Sequence, residues 1–289
     1  MCRWLAYSGK PALISDLLYK PDHSLIDQSL HSTLGAETTN GDGFGIGWYG
    51  VGNEAGVFHS TEPAWNDRNL HQLSRHLASP LVFAHIRAST GSPVQQTNCH
   101  PFRYRNWLWM HNGFIADFDV VKRDLMLEVA PELYPHIEGT TDSELLFHLA
   151  LTYGLEQDPP AAVERAVGLV EQVGAEHGVE HPIMMTVATT DGKRTWAFRY
   201  SSEGDSRSLY YSTDVETLEL MYPDSPIMRE VSGELGREGR LIVSEPLGDR
   251  LPGAWNLVPE RSWGVVQPGH DELHSFTPVA PARRIATPA

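Results

Sequence analysis

Cysteine is scarce in this chain: 289 residues carry two, Cys2 and Cys99. A small secreted scaffold would hold several pairs. Two free thiols in a reducing compartment are therefore expected, although a single Cys2–Cys99 bridge stays open at this level. Long apolar runs are also missing. No stretch of 18 apolar residues occurs, so no membrane-spanning helix is expected. Clustered positive charge is the third absence. Basic residues run no further than pairs, such as Lys122-Arg123, Lys193-Arg194 and Arg283-Arg284, and the formal net charge is −15. Phosphate contacts dominate nucleic-acid affinity, so no nucleic-acid partner is expected. The acidity mainly favours solubility. The start, MCRWLAYSGK, has no apolar segment behind a basic one and does not read as a secretory signal. A cytoplasmic protein whose first residues belong to the working chain is expected.

What remains is ordinary globular composition, with 41% hydrophobic and 20% charged residues. The length suffices for one large domain or two small ones, and for a sizeable core. No internal repeat or linker interrupts it. Residues 1–277 are expected to form one domain, followed by a loose Pro/Ala-rich tail over 278–289. Apolar, aromatic-rich runs predict strands at Cys2–Ser8, Phe44–Tyr49, Leu81–Arg87, Trp107–Asn112, Pro182–Thr190, Thr195–Tyr200, Ser208–Ser212, Arg240–Ser244 and Ser262–Val266. Helices are predicted at Ala12–Leu18, Asn66–Ala78, Val120–Val129, Asp142–Gly154 and Pro160–Gly174. Thr141 with Glu144 three residues on is a capping-box pattern ahead of an apolar run. Pro159-Pro160 suits a helix start. Strands come early, helices gather in the middle and strands return, without βαβ alternation. That order favours an α+β layered fold with mostly antiparallel sheets.

Several short segments could carry chemistry. Cys2 follows the initiator Met, so removal of Met1 would put a thiol and a free α-amine on one residue. Such an amine titrates near about 7.7–8.0 and can serve as a base at neutral pH. The plain alternative is a small buried hydrophobe. Asn40-Gly41-Asp42-Gly43-Phe44-Gly45-Ile46-Gly47-Trp48 lacks the Walker pattern. Its alternating glycines admit close approach of a ligand or backbone, or simply make a turn that feeds a strand. In Ala84-His85-Ile86-Arg87-Ala88-Ser89-Thr90 an arginine closes a strand-like run. It suits bidentate capture of a carboxylate, or a surface ion pair. Cys99 and His100 are adjacent on an extended chain and point to opposite sides, which speaks for a turn before Pro101 rather than a dyad. At His111-Asn112-Gly113 the Asn amide and a Gly N–H could form an oxyanion hole, or an ordinary turn. Asp142 opens a helix, where it could meet an ammonium or cap the helix. Two H-x-x-x-H spacings exist among fourteen histidines, His177/His181 and His270/His274. Gly174, Gly178 and Pro182 make the first a loop, and the second lies near the tail. No C-x-x-C exists, so neither a metal nor another cofactor is expected.

Together these groups suit the amino-acid end of a γ-glutamyl compound with an acyl-transfer centre beyond it. In order and spacing, Met1-Cys2-Arg3, the Asn-Gly-Asp-Gly-Phe-Gly segment, His85–Thr90, Asn98-x-His100-Pro101, His111-Asn112-Gly113 and Thr140–Glu144 resemble the class II glutamine amidotransferases. The resemblance is strong over residues 2–145 and continues more weakly to Leu241–Pro246. It leans toward the compact, stand-alone members, an uncharacterised bacterial group and relatives that cleave γ-glutamyl bonds in ergothioneine synthesis and glutathione breakdown. It implies a four-layer αββα N-terminal-nucleophile hydrolase sandwich. It implies hydrolysis of a γ-glutamyl amide through a Cys2 thioester, with Asn112 and Gly113 as the oxyanion hole. Arg87, helped by Ser89 or Thr90, would hold the α-carboxylate and Asp142 the α-ammonium; His100 would support the site. Complete amidotransferases add a synthase domain, whereas residues 145–289 read as the rest of the sandwich and a tail. Ammonia would then pass to a separate protein partner, or hydrolysis of a small-molecule γ-glutamyl substrate is itself the purpose. A non-catalytic γ-glutamyl-binding module is the third reading, and Cys2, Asn112, Gly113, Arg87 and Asp142 all stand against it.

Overall fold

The computed structural model describes residues 2–31, 39–50, 52, 54–89, 91–236, 238–248, 251–267 and 270–284. In chain order the strands are β1 (Arg3–Leu13), β2 (Phe44–Tyr49), β3 (Ala55–Ser60), β4 (Ala78–Ile86), β5 (Phe102–Tyr104), β6 (Trp107–Ile115), β7 (Ile183–Thr190), β8 (Thr195–Ser201), β9 (Tyr210–Ser212), β10 (Arg240–Val243), β11 (Trp255–Leu257), β12 (Ser262–Gln267) and β13 (His270–Ser275). The helices are α1 (Ile14–Leu18), α2 (Leu25–Leu30), α3 (Arg68–Ser74), α4 (Phe118–Glu128), α5 (Asp142–Thr152), α6 (Pro159–Glu176), α7 (Val215–Met221) and α8 (Pro226–Leu235).

The strands form two sheets. A seven-stranded sheet runs β11-β9-β10-β1-β4-β2-β3, and a six-stranded sheet runs β13-β12-β8-β7-β6-β5. The paired strands are antiparallel. Alternation along each strand sorts side chains into layers. On β1, Trp4 and Ala6 face the six-stranded sheet with Phe83 of β4, and meet Leu108 and Met110 of β6 in the layer between the sheets. Leu5 and Tyr7 face the other way, against α1, α2 and α3. Trp107 and Trp109 of β6 turn outward, under α4, α5 and α6. Three buried apolar layers thus separate four structural ones, giving the expected αββα sandwich. α7 and α8 add a small cluster of their own around Val215, Leu218 and Met228.

Helix starts follow local chemistry. Thr141 Oγ1 accepts from the N–H of Glu144 at 3.2 Å, as the capping pattern requires. The return half differs. The Glu144 carboxylate takes the N–H groups of Glu138 and Gly139 at 2.8 and 2.7 Å, which ties down the loop before α5. A full capping box occurs instead at Ser24 and Asp27, opening α2, a helix whose short Leu25–Leu30 run gives no clear periodicity. α1 begins at Ile14 rather than Ala12 because β1 runs on to Leu13, paired with Ala78. α6 stops at Glu176, so His177 caps it rather than extending a helical H-x-x-x-H face, and His177 Nε2 meets Asp124 Oδ2 at 2.9 Å.

The segment after Phe276 has no regular structure, yet it is fastened down to residue 284. Val279 N–H donates to the Glu164 carbonyl at 3.0 Å. Arg283 reaches Glu128 at 2.6 Å and Glu176 at 2.8 Å. The expected looseness therefore gives way, over 278–284, to packing on α6. Residues 285–289 lie outside the described residues.

Candidate active site

Three segments meet at one end of the gap between the sheets. Cys2 precedes β1, Arg87 follows β4, and Asn112 lies in β6. Each shares the parity of the inward-facing residues on its strand: Trp4 and Ala6, Phe83, and Leu108 and Met110. β1 and β4 pair with Arg3 opposite Ile86, so the start of one lies beside the end of the other. The convergence is visible in hydrogen bonds. Asn112 Nδ2 donates to the Cys2 carbonyl at 3.0 Å, and the Ala88 N–H donates to Cys2 Sγ at 3.4 Å. Both cysteines are free, so the bridge left open by the sequence is not formed.

Cys2 is half-buried. Burial pushes its thiol up, opposed by the Ala88 N–H and the charges of Arg87 and Arg3. Such a thiol needs a base beside it to be nucleophilic at neutral pH.

Arg87 is buried at 3% exposure, and its hydrogen-bond partners among the described residues are neutral groups. Nη2 donates to Ser92 Oγ at 2.6 Å, to Ser89 Oγ at 3.1 Å and to the Ser92 carbonyl at 3.3 Å; Nη1 reaches the Asp42 carbonyl at 3.4 Å. The Asp42 carboxylate is engaged by the Ser89 N–H at 2.7 Å. Arg87 therefore carries a permanent buried charge without a carboxylate partner among the described residues. Thr90, expected beside it, lies outside them.

Gly113 has φ +152°, and a Cβ there would collide with the Met184 carbonyl oxygen, so the residue after Asn112 must be glycine. Two residues on, the Ile115 N–H donates to Asp142 Oδ2 at 2.8 Å. Asp142 Oδ1 takes the N–H of Ser143 at 2.7 Å. The carboxylate thus caps α5 and also pins that helix to the end of β6, beside the oxyanion candidates.

His100 makes no hydrogen bond to Cys2, Arg87 or Asn112. Its ring lies 4.2 Å from that of His85 and 4.4 Å from Phe102, and neither of its nitrogens has a hydrogen-bond partner. Burial pushes His85 down to about 3 and His100 well below the usual histidine range. Both are neutral packing groups. His111 is turned the other way, with Nδ1 2.8 Å from Ser143 Oγ, and burial lowers it too, opposed by Asp142.

Four residues at this site were given no role of their own by the sequence, though three stand in motifs it displays. Asp42 was hidden among the glycines of its motif, and Ser92 stands two residues past the segment read for Arg87. Asn98 binds the Thr140 N–H at 2.9 Å and Thr140 Oγ1 at 3.1 Å, joining the loop before β5 to the start of α5. Ser143 follows Asp142 inside a cap pattern. A cavity of about 340 Å³ lies elsewhere, on the outer face of the seven-stranded sheet, lined by Leu17, Leu218, Leu235, Leu241 and Trp255.

Two antiparallel sheets packed between helical layers define an α+β sandwich. The chain belongs to the class II glutamine amidotransferases, whose sequence profile matches residues 19–278. It is 33% identical over 291 residues to the probable glutamine amidotransferase DUG3 of Saccharomyces cerevisiae, covering 91% of this chain and 80% of that protein. It is 26% identical over 278 residues to the gamma-glutamyl-hercynylcysteine sulfoxide hydrolase of Mycolicibacterium smegmatis, covering 93% and 97%. The structure of a glutamine aminotransferase class-II domain protein from Silicibacter pomeroyi superposes with a TM-score of 0.71 at 29% identity, covering 96% of this chain and all of that one.

Proposed function

We propose that this protein hydrolyses the γ-glutamyl amide bond of a small molecule, with Cys2 as nucleophile once Met1 is removed. The observation that carries the reading is Arg87, a buried cation whose partners among the described residues are neutral, one residue from the Ala88 N–H that touches the Cys2 sulfur. Buried charge is costly unless paired, and an incoming α-carboxylate supplies the missing partner. Ser89 flanks that carboxylate, Asp142 receives the α-ammonium, and the γ-carbonyl then lies toward Cys2. His100 packs behind the site.

In this mechanism the Cys2 α-amine takes the thiol proton and sulfur attacks the γ-carbonyl carbon. Asn112 Nδ2–H and the Gly113 N–H hold the oxyanion. The C–N bond breaks, the amine or ammonia leaves with the proton, and water cleaves the thioester to release glutamate. The two relatives, a probable glutamine amidotransferase and a gamma-glutamyl-hercynylcysteine sulfoxide hydrolase, support this chemistry. A glutaminase that delivers ammonia to a separate synthase would use the same residues.

The test is glutamate release from glutamine, glutathione and γ-glutamyl amines by wild type and Cys2→Ala, with intact mass recorded for both. Release by wild type alone, from protein lacking Met1, supports the reading, and the best substrate names the leaving group. Full retention of Met1 in an active preparation would overturn it. Activity seen only when a partner protein is added would select the ammonia-delivering form.

A further inference from the structure

Arg3 lies on the helix-side face of β1, away from the Cys2 thiol, at 2% exposure. Its Nε donates to Glu245 Oε2 at 2.7 Å, while its Nη1 turns back to the Cys2 carbonyl at 3.0 Å. Glu245 is as buried, and its Oε1 lies 2.6 Å from His23 Nε2. Gln28, in α2, donates its Nε2 to the carbonyls of His23 at 3.1 Å, Pro246 at 3.3 Å and Glu245 at 3.4 Å. The end of β10 is tied to the same place. Trp4 N–H donates to Ser244 Oγ at 3.0 Å and Ser244 N–H to the Trp4 carbonyl at 3.1 Å.

A buried ion pair seldom adds stability over apolar residues of the same volume, because desolvation offsets its attraction. A task in fixing position explains this one better. The Cys2 carbonyl has two lone pairs and receives two donors, Arg3 Nη1 and Asn112 Nδ2, each at 3.0 Å. Those bonds set the peptide plane of the residue that bears the thiol. The Asn112 amide keeps a second N–H for the oxyanion. The carbonyl is therefore a shared anchor for nucleophile and oxyanion donor, and Arg3 holds its other side.

We propose that Arg3, itself held by Glu245, which His23 meets in turn, is a positioning residue for Cys2 and, through the shared carbonyl, for the Asn112 amide. The proposal rests on the γ-glutamyl hydrolase reading for its kinetic readout.

The test compares wild type with R3K, R3Q and E245Q. Lysine keeps the charge but lacks the planar fork that serves two acceptors at once. In R3K and R3Q kcat falls on the order of 10²-fold, the scale of a slight misplacement of a reacting group. KM stays within about threefold, because Arg87 and Asp142 still hold the substrate. E245Q loses less, since its amide can still accept from Arg3. Iodoacetamide gives a second readout that needs no turnover. Cys2 alkylation at pH 7 slows about tenfold in R3Q, as the misplaced thiol loses its alignment with the α-amine that takes its proton. Cys99, fully buried, stays unmodified while the fold is intact. If R3Q exposes Cys99, R3K and E245Q decide. Folded variants with wild-type kcat per alkylatable Cys2 and an unchanged alkylation rate would overturn the proposal, as would a loss confined to KM. A wild type that releases no glutamate from any substrate counts against the hydrolase reading instead, and the alkylation rates then decide the role of Arg3.

Discussion

The side-chain amide of Asn112 donates to the main-chain carbonyl of Cys2 at 3.0 Å, across 110 positions of sequence. This bond joins the two sheets at the candidate site and leaves the amide one N–H to spend on an oxyanion. Asn112→Ala should therefore remove a transition-state donor and loosen the nucleophile together. The expected loss is on the order of 10²–10³ in kcat, with KM little changed. Steady-state glutamate release checks it. An equal loss in Asn112→Asp, which keeps the shape but cannot donate from that position, would assign the effect to the donor rather than to packing.

Arg87 should act on binding. Its partners Ser89, Ser92 and Asp42 hold the guanidinium in place without neutralising it. Arg87→Lys keeps the charge and loses the fork. A charged hydrogen bond contributes about 1.5–3 kcal/mol, so KM should rise roughly 10- to 100-fold. Free glutamate, which carries the same carboxylate, should weaken as a competitive inhibitor by a similar factor. Ser92→Ala is the control, because it disturbs the guanidinium without removing it and should cost less.

The fastening of the tail gives a stability prediction. Arg283 lies between Glu128, which is fully buried, and Glu176, and the Arg284 N–H adds a bond of 2.6 Å to the same Glu128 carboxylate. Both carboxylates hold the Arg283 guanidinium above its ordinary range against the effect of burial. Arg283→Ala should cost on the order of 1–3 kcal/mol in denaturant unfolding. Limited proteolysis should cut after residue 276 faster than in wild type, while glutamate release from intact protein should not change.

The candidate site was more legible than the frame that holds it. Cys2, Arg87, Asn112, Gly113 and Asp142 stand in motifs whose residue types have few other uses when found together, and strand parity brings the first three to one gap. Their supporting partners are not local. Arg3 meets Glu245, and Asn98 meets Thr140, at separations that no spacing rule encodes. The long strands were visible because Trp4–Tyr7 or Trp107–Met110 are unbroken apolar runs. β3, β11 and β13 were not, since edge strands with exposed or small residues lack that contrast. Nor did composition reveal that the Pro/Ala-rich end packs on α6. Gly168 permits that approach, because a Cβ there would strike the Val279 backbone.

The buried histidines set the response to acid. His85, His100 and His111 are each shifted down by burial, His85 to about 3. In the unfolded chain the same rings titrate near about 6.5. Between those values the unfolded state binds more protons, so stability rises with pH across the window. It is fully present above about pH 6.5 and is lost as the pH falls toward the folded values. Each such histidine steepens the slope by up to about 1.4 kcal/mol per pH unit. Glu144, raised by burial, works with the opposite sign, because its unfolded form gives up a proton first as pH rises above its ordinary range. Urea unfolding between pH 5 and pH 7 reads the net slope, and a histidine substitution isolates the histidine share. Wild type should lose stability steeply below pH 6.5, and His85→Gln should have a shallower slope whatever its absolute stability. A slope unchanged by that substitution would mean that His85 is protonated in the folded protein, and that the layer between the sheets admits charge beside Arg87.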